Sequence, residues 1–160
     1  MKLYFLRHAD ATWADWSEPD DERPLTKKGR KQSCRVGKLL DRLCVDPELI
    51  LTSPLPRAFQ TAEIVAHRLC IDFKEEPALG KSFNLAKLRA MITRTKGHDL
   101  MVVGHEPDFS AVIRQLTGGR VRLAKAGVAR IDLASPESDG TLVWLMTPKC
   151  ARAVVSARRG

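Results

Sequence analysis

The stretch KLYFLRH, residues 2–8, decides the fold that we predict for this chain. Its first five residues form a short apolar strand, and Arg7 and His8 follow that strand directly. Two further apolar runs of the same kind occur at Leu49–Thr52 and Leu100–Val103. A segment with helical spacing follows each of the three runs. Strands that alternate with helices predict a mostly parallel sheet that is covered on both faces.

Apolar residues spaced by three and four positions predict four amphipathic helices. Their stripes are Val36, Leu39, Leu40 and Leu43; Ala58, Ala62, Val65 and Leu69 within about 55–69; Leu85, Leu88, Met91 and Ile92; and Phe109, Val112, Ile113 and Leu116. Thr26 fits the N-cap of the first helix, and Gly118-Gly119 ends the fourth.

Three further strands complete the predicted sheet, at Ile71–Lys74, Val128–Leu133 and Leu142–Met146. The turn-forming residues 135–140 separate the last two, which predicts a hairpin and therefore one antiparallel strand. We predict a three-layer α/β/α sandwich with a central sheet of about six strands. No linker or repeat divides the chain, so we expect one domain over residues 1–160.

The composition limits the classes of function. The 160 residues are 44% hydrophobic and 29% charged, and the formal net charge is +8. The apolar N-terminal stretch Met1–Leu6 is shorter than the roughly 7–15 residues of a signal-peptide core, so we expect a cytoplasmic protein without a membrane anchor. The positive charge indicates an anionic partner, either a phosphate or a nucleic acid. Aromatic residues make up only 6% of the chain, which disfavours nucleic-acid recognition by base stacking.

The cysteines and histidines show no spacing typical of a zinc site, and no motif for another cofactor is present. We therefore expect neither a metal nor a cofactor. The four cysteines are expected to be reduced thiols, and Cys44 and Cys70, which have apolar neighbours in the sequence, are expected to be buried.

The distinctive polar residues follow strand ends. Arg7 and His8 come after the first strand, Arg57 after the second, and His105 after the fourth. Ligands of open α/β sheets bind beyond the carboxyl ends of the strands. Arginine binds phosphate oxygens in a bidentate manner, and a neutral histidine can accept a phosphoryl group. Taken singly, each residue also has a structural explanation, but together they predict a phosphate site.

Three motifs resemble those of the histidine phosphatase superfamily, which includes the phosphoglycerate mutases. They are LRHAD at 6–10, similar to the family's Arg-His-Gly signature; SPLPRAFQTA at 53–62; and VVGH at 102–105. The segments RPLT at 23–26 with Gly29, and WLMTP at 144–148, resemble the phosphohistidine phosphatases of the SixA type. The resemblance covers nearly the whole chain. It implies that His8 is the nucleophile and that Arg7, Arg57 and His105 bind the phosphate, with Arg23 as a further basic residue beside it.

The chain departs from the family pattern at two positions. Ala9 replaces the usual glycine of the signature, and Ala78 aligns with the glutamate that larger members use as general acid. Glu76 and Asp10 are the candidates to replace that acid. Because an imidazole leaves a P–N bond more easily than an alkoxide leaves phosphorus, the missing acid favours a phosphohistidine substrate.

The segment Glu75–Asp99 is also too short to hold both a helix and a lid, which favours a phosphohistidine carried on a protein surface. The main alternative is a small-molecule phosphomonoesterase that uses the same site. A non-catalytic module that binds phosphate or nucleic acid would not require His8 and His105.

Overall fold

Six strands alternate with five α-helices in the computed structural model, which describes residues 1–157. Arg158 and Arg159, which the sequence suggests are a charged tail, lie outside the described residues. The elements are β1 (Lys2–Arg7), α1 (Lys27–Arg42), β2 (Leu49–Thr52), α2 (Pro56–Leu69), β3 (Phe73–Glu75), α3 (Leu85–Arg94), β4 (Leu100–Gly104), α4 (Asp108–Thr117), β5 (Val128–Leu133), β6 (Gly140–Met146) and α5 (Pro148–Ser156). Short 3-10 helices occur at Asp20–Glu22 and Pro77–Leu79.

The strands form one sheet in the order β3-β2-β4-β1-β5-β6. The first four strands in this order are parallel, β5 is antiparallel to β1, and β6 is antiparallel to β5. All five residues of β4 are buried, as expected for a parallel strand with helices on both of its faces. The predicted sheet of six strands with one antiparallel strand is confirmed.

Two hydrophobic clusters lie on opposite faces of the sheet. On one face, Phe5 packs against α4, with its ring edge-on to Phe109 at a centroid distance of 5.1 Å. On the other face, Leu6 and Val103 belong to the cluster that includes residues of α1, α2 and α5. The helices α3 and α4 therefore cover one face and α1, α2 and α5 the other, which confirms the three layers.

Helix α1 begins at the edge of the sheet where β1 ends. The Thr26 hydroxyl accepts a hydrogen bond from the Gly29 amide at 3.0 Å, which confirms the predicted N-cap. A Cβ atom on Gly29 would lie 2.0 Å from the carbonyl oxygen of Asp10. Only glycine allows this approach, so the sequence at the start of α1 fixes the loop that follows His8.

The expectation of buried cysteines was wrong. The cysteines Cys34, Cys44, Cys70 and Cys150 are free and exposed. Cys44 and Cys70 have left-handed backbone angles, with φ of 51° and 57°, just beyond α1 and α2. At these positions the chain leaves the helix and turns. Val45 is buried, and Leu69 and Ile71 pack partly against the core, while the thiols and Leu43 face solvent.

Within residues 1–157, no helix combines the length and the apolar character that a membrane crossing requires.

Candidate active site

The carboxyl ends of β2, β4 and β1 lie side by side because these strands are neighbours in the sheet. The His8 amide donates to the carbonyl of Gly104 at 3.0 Å, and the Ser53 amide donates to the carbonyl of Val103 at 2.9 Å. These backbone bonds continue the strand pairing by one residue. They bring together the segments that carry Arg7, His8, Arg57 and His105.

A cavity of about 260 Å³ lies at this edge of the sheet. The five residues predicted from the sequence to form the site all contribute to its wall. The complete lining is Arg7, His8, Ala11, Thr12, Asp20, Arg23, Arg57, His105, Glu106 and Lys125. The volume is below the roughly 300 Å³ at which pockets for drug-sized ligands begin. The cavity therefore suits a small anionic group.

His8 is held in one orientation and in the neutral state. Its Nδ1 lies 2.7 Å from the carbonyl oxygen of Ala9; because a carbonyl can only accept, Nδ1 carries the proton and Nε2 keeps its lone pair. Burial lowers the pKa of His8 to about 3, and the nearby His105 and arginines act in the same direction. A neutral imidazole with a fixed lone pair is the form that acts as a nucleophile.

His105 lies beside His8, with 5.2 Å between the ring centroids. Its Nε2 is 2.8 Å from the hydroxyl of Ser53, which is fully buried. Burial, together with Arg57 and Arg7, lowers the pKa of His105 to about 4. Within residues 1–157, its buried Nδ1 has no hydrogen-bond partner, and the His105 side chain lines the cavity.

Three arginines converge on the cavity. Arg7 donates through Nη1 to the carbonyl of Leu123 at 3.0 Å, and Arg57 donates through Nη1 to the carbonyl of Asp20 at 2.8 Å. Burial lowers the pKa of both Arg7 and Arg57, from a value so high that arginine stays charged. In the described part of the chain, the buried Nε atoms of Arg7, Arg23 and Arg57 have no partner. Three guanidinium groups around a small cavity form a binding site for an oxyanion.

The carboxylate of Asp20 lies between two of these arginines. It is 2.6 Å from Arg23 and 3.3 Å from Arg57. Asp20 was not predicted from the sequence, because it lies in the irregular segment between β1 and α1, where no periodic pattern marks a residue. Glu106 was not predicted either. It lines the same cavity and accepts a hydrogen bond from the Ser110 hydroxyl at 2.7 Å; its position next to His105 was the available signal.

The two carboxylates that the sequence suggested as the general acid do not line the cavity. Glu76 caps the amide of Ala78 at 3.1 Å and pairs with Arg94. Asp10 accepts hydrogen bonds from Thr26 at 2.8 Å and from Lys125 at 3.1 Å. Burial alone would raise the pKa of Asp10, but these hydrogen bonds outweigh burial and lower it. An ionised Asp10 has no proton to donate.

The segment Glu75–Asp99 contributes no residue to the cavity. The walls come instead from the β1–α1 loop, which supplies Ala11, Thr12 and Asp20, and from the α4–β5 loop, which supplies Lys125. In the same described residues, no group of three or more His, Cys, Asp or Glu side chains has the arrangement needed to hold a metal ion.

The chain is similar in sequence to known proteins. Residues 3–81 match the model of the histidine phosphatase superfamily, branch 1. An uncharacterized protein of Picosynechococcus is 35% identical, covering 93% of this chain and 98% of that protein. The phosphohistidine phosphatase SixA of Escherichia coli is 28% identical, covering 96% of this chain and all of SixA.

Among solved structures, that of the protein histidine phosphatase SixA complexed with tungstate superposes with a TM-score of 0.83. The sequence identity is 27%, and the match covers 93% of this chain and 98% of that one. The motifs at 6–10, 53–62 and 102–105, which suggested this relationship, lie around the one cavity described above. This chain belongs to the histidine phosphatase superfamily and is of the SixA type.

Proposed function

We propose that this phosphatase removes the phosphoryl group from a phosphohistidine on another protein, through a covalent intermediate on His8. The observation that carries the proposal is the state of His8. Its Nδ1 proton is held by the Ala9 carbonyl, its pKa lies far below neutral, and its ring lines a cavity with three arginines. The E. coli relative that is 28% identical is a phosphohistidine phosphatase, which supports the same substrate class.

In the first step, Nε2 of His8 attacks phosphorus while the P–N bond to the substrate imidazole breaks. The electron pair of that bond stays on the leaving nitrogen. When the other nitrogen of the substrate ring is protonated, the leaving group is a neutral imidazole, and no side chain has to donate a proton. The phosphorylated His8 ring is positively charged, and the Ala9 carbonyl that accepts from Nδ1 at 2.7 Å stabilises that charge.

In the second step, a water oxygen attacks phosphorus and the bond from phosphorus to Nε2 breaks. The bonding pair returns to Nε2, which restores neutral His8, and the water proton passes to a carboxylate or to solvent. Asp20 and Glu106 are the carboxylates that line the cavity. In both steps the phosphoryl oxygens carry the developing charge, and in this proposal Arg7, Arg57 and His105 stabilise it, with Arg23 as a further basic residue of the cavity.

The distribution of acids favours phosphohistidine over a phosphate ester. An alkoxide leaving group needs a proton from a nearby acid. Glu76 and Asp10 lie outside the cavity, and Asp20 uses its carboxylate oxygens to pair with two guanidinium groups. The second candidate, a small-molecule phosphomonoesterase, requires Asp20 or Glu106 to act as that acid, and their presence in the cavity lining is the observation in its favour.

The experiment compares two substrate classes on two variants. The purified protein is incubated with a phosphotransfer domain phosphorylated on histidine and, separately, with sugar phosphates and other phosphate esters. We expect turnover of the phosphodomain, its loss in His8→Ala, and acid-labile phosphate on His8 after rapid quenching. His67→Ala, which removes an exposed histidine of α2, is the matched control and should keep wild-type activity.

Two outcomes would contradict the proposal. Hydrolysis of a sugar phosphate at a rate equal to that of the phosphodomain would assign the site to small esters. Full activity of His8→Ala would show that the reaction does not use this nucleophile.

A further inference from the structure

The solvent-facing side of α1 has a strong positive charge. Its sequence, KKGRKQSCRVGKLLDR, contains seven basic residues and one acid, Asp41. Asp41 pairs with Arg68 of α2. Within residues 1–157, none of the seven basic side chains of α1 forms an ion pair. The charge of this helix is therefore not neutralised within the described chain.

Helix α5 extends this charge across a groove. A cavity of about 200 Å³ between the two helices is lined by Lys28, Gln32, Arg35, Pro148, Lys149 and Arg152. We define the α1–α5 basic face as Lys28, Lys31, Arg35, Lys149 and Arg152, which are all exposed. Lys28, Lys31 and Arg35 are spaced by three and four residues and therefore lie on one side of α1.

The stability of the two helices does not explain the position of these cations. Lys27 and Lys28 occupy the first turn of α1, which contains no acid. The amino end of a helix has a partial positive charge, so cations there reduce the stability of the helix. The first turn of α5 also lacks an acid and contains Lys149. Two neighbouring helices thus both carry cations where the backbone already repels them, which is the arrangement expected of a surface that binds an anion.

The α1–α5 basic face begins beside the phosphate cavity. Gln32, which lines the groove, accepts a hydrogen bond from the Asp10 amide at 2.9 Å, and Asp10 is two residues beyond His8. On the α5 side, β6 runs parallel to β1 and ends at Met146, so Pro148 lies at the same edge of the sheet as His8. A macromolecule that presents a phosphoryl group to His8 therefore approaches the edge of the sheet at which both α1 and α5 begin.

We propose that the α1–α5 basic face docks an acidic surface of the protein that carries the phosphohistidine. This inference rests on the proposed function. The face adds affinity outside a cavity that has room for little more than the phosphoryl group. The groove lining contains no aromatic side chain, so the surface lacks the stacking partners typical of single-stranded nucleic-acid binding. An acidic protein matches both the charge and the location.

The test uses two variants that each remove three positive charges. The docking variant is Lys28→Gln, Arg35→Gln and Arg152→Gln. The control variant, Lys74→Gln, Lys96→Gln and Arg114→Gln, replaces exposed cations outside the α1–α5 basic face and outside the cavity lining. Each variant has a formal net charge of +5, from +8 minus 3. The substrates are an acidic phosphotransfer domain phosphorylated on histidine and the free amino acid phosphohistidine.

We expect the docking variant to lose about tenfold in kcat/KM for the phosphodomain at low ionic strength, and the loss to shrink as salt is added. Hydrolysis of free phosphohistidine should be unchanged in both variants, and the control variant should process the phosphodomain like the wild type. Thermal unfolding of the two variants should show that both are folded, since all six side chains are exposed.

Each other result overturns the inference. Equal losses in the two variants would indicate an effect of net charge alone, and a loss with free phosphohistidine would indicate damage to the cavity. Unchanged kinetics of the docking variant would show that the face does not dock the domain. Tighter binding of a single-stranded oligonucleotide than of the phosphodomain, abolished in the docking variant, would assign the face to nucleic acid. If the wild type hydrolyses neither phosphohistidine substrate, the proposed function itself is wrong and the docking inference falls with it.

Discussion

Replacing His8 with glutamine should reduce the loss of stability that the protein undergoes on acidification. In the folded chain, burial lowers the pKa of His8 to about 3, whereas the unfolded value is near 6.5. Below pH 6.5 the unfolded state therefore binds a proton that the folded state rejects, and the equilibrium shifts towards unfolding. The contribution of His8 is constant above this window and is lost progressively as the pH falls from about 6.5 towards 3.

The size of the effect follows from proton linkage. One proton taken up only by the unfolded state changes the free energy of unfolding by about 1.4 kcal/mol per pH unit. Between about pH 8 and pH 5 this amounts to about 2 kcal/mol for His8. His105, whose pKa is lowered to about 4, also makes the free energy of unfolding fall with decreasing pH, and it does so equally in the wild type and in His8→Gln. The lowered pKa values of Asp10 and Asp132 act only at more acidic pH, below their unfolded values near 4.

Urea unfolding at a series of pH values from 8 to 5 measures this directly. The stability difference between wild type and His8→Gln should change by about 2 kcal/mol across the range, in favour of the variant at acidic pH. His67→Gln, which removes an exposed histidine, should keep a constant difference from wild type. Parallel curves for wild type and His8→Gln would refute the conclusion that the folded chain holds His8 neutral.

Three further predictions concern residues around the cavity. Gly29→Ala places a Cβ atom 2.0 Å from the Asp10 carbonyl oxygen. The variant should have a free energy of unfolding about 1–3 kcal/mol lower than wild type in urea titrations. A stability equal to wild type would contradict this prediction. Asp20→Asn removes the negative charge beside Arg57 and Arg23. Competitive inhibition by inorganic phosphate should therefore strengthen about threefold. Unchanged inhibition would mean that Asp20 does not compete with the anion. Lys28→Glu puts an acid in the first turn of α1 and should raise the free energy of unfolding by about 0.5–1 kcal/mol, as measured by urea titration against Lys74→Glu.

Strands and helices that a local sequence pattern marks were predictable from the sequence. The strands β2 and β5 have the predicted bounds. β2 is a short, mostly apolar run that stops before Ser53-Pro54, and β5 alternates in part between buried and half-buried residues before the turn at 135–140. Helix α5 was not predicted, because Ala151 is its only buried residue among 148–156 and one small side chain makes no apolar stripe. The strand β3 begins two residues later than predicted, as is common for the ends of short elements.

Contacts between distant segments were less predictable. Asp20 meets Arg57 from 37 residues away in the sequence, and no local signal indicates that pairing. Glu76 had the right residue type near the expected position, but its capping of Ala78 and its pairing with Arg94 turn its carboxylate away from the cavity. The exposure of Cys44 and Cys70 follows from backbone turns rather than from the polarity of their neighbours.

The cavity is built from strand ends, whereas the α1–α5 basic face lies on the outer sides of two helices. The exposed cations of that face take no part in the backbone bonds that hold His8 and Ser53 in place. Under the proposed docking, the chemistry and the choice of partner can therefore diverge at different rates in evolution. After a gene duplication, a few substitutions of surface charges would be enough to change the protein partner of one copy. Both copies would keep the same cavity residues.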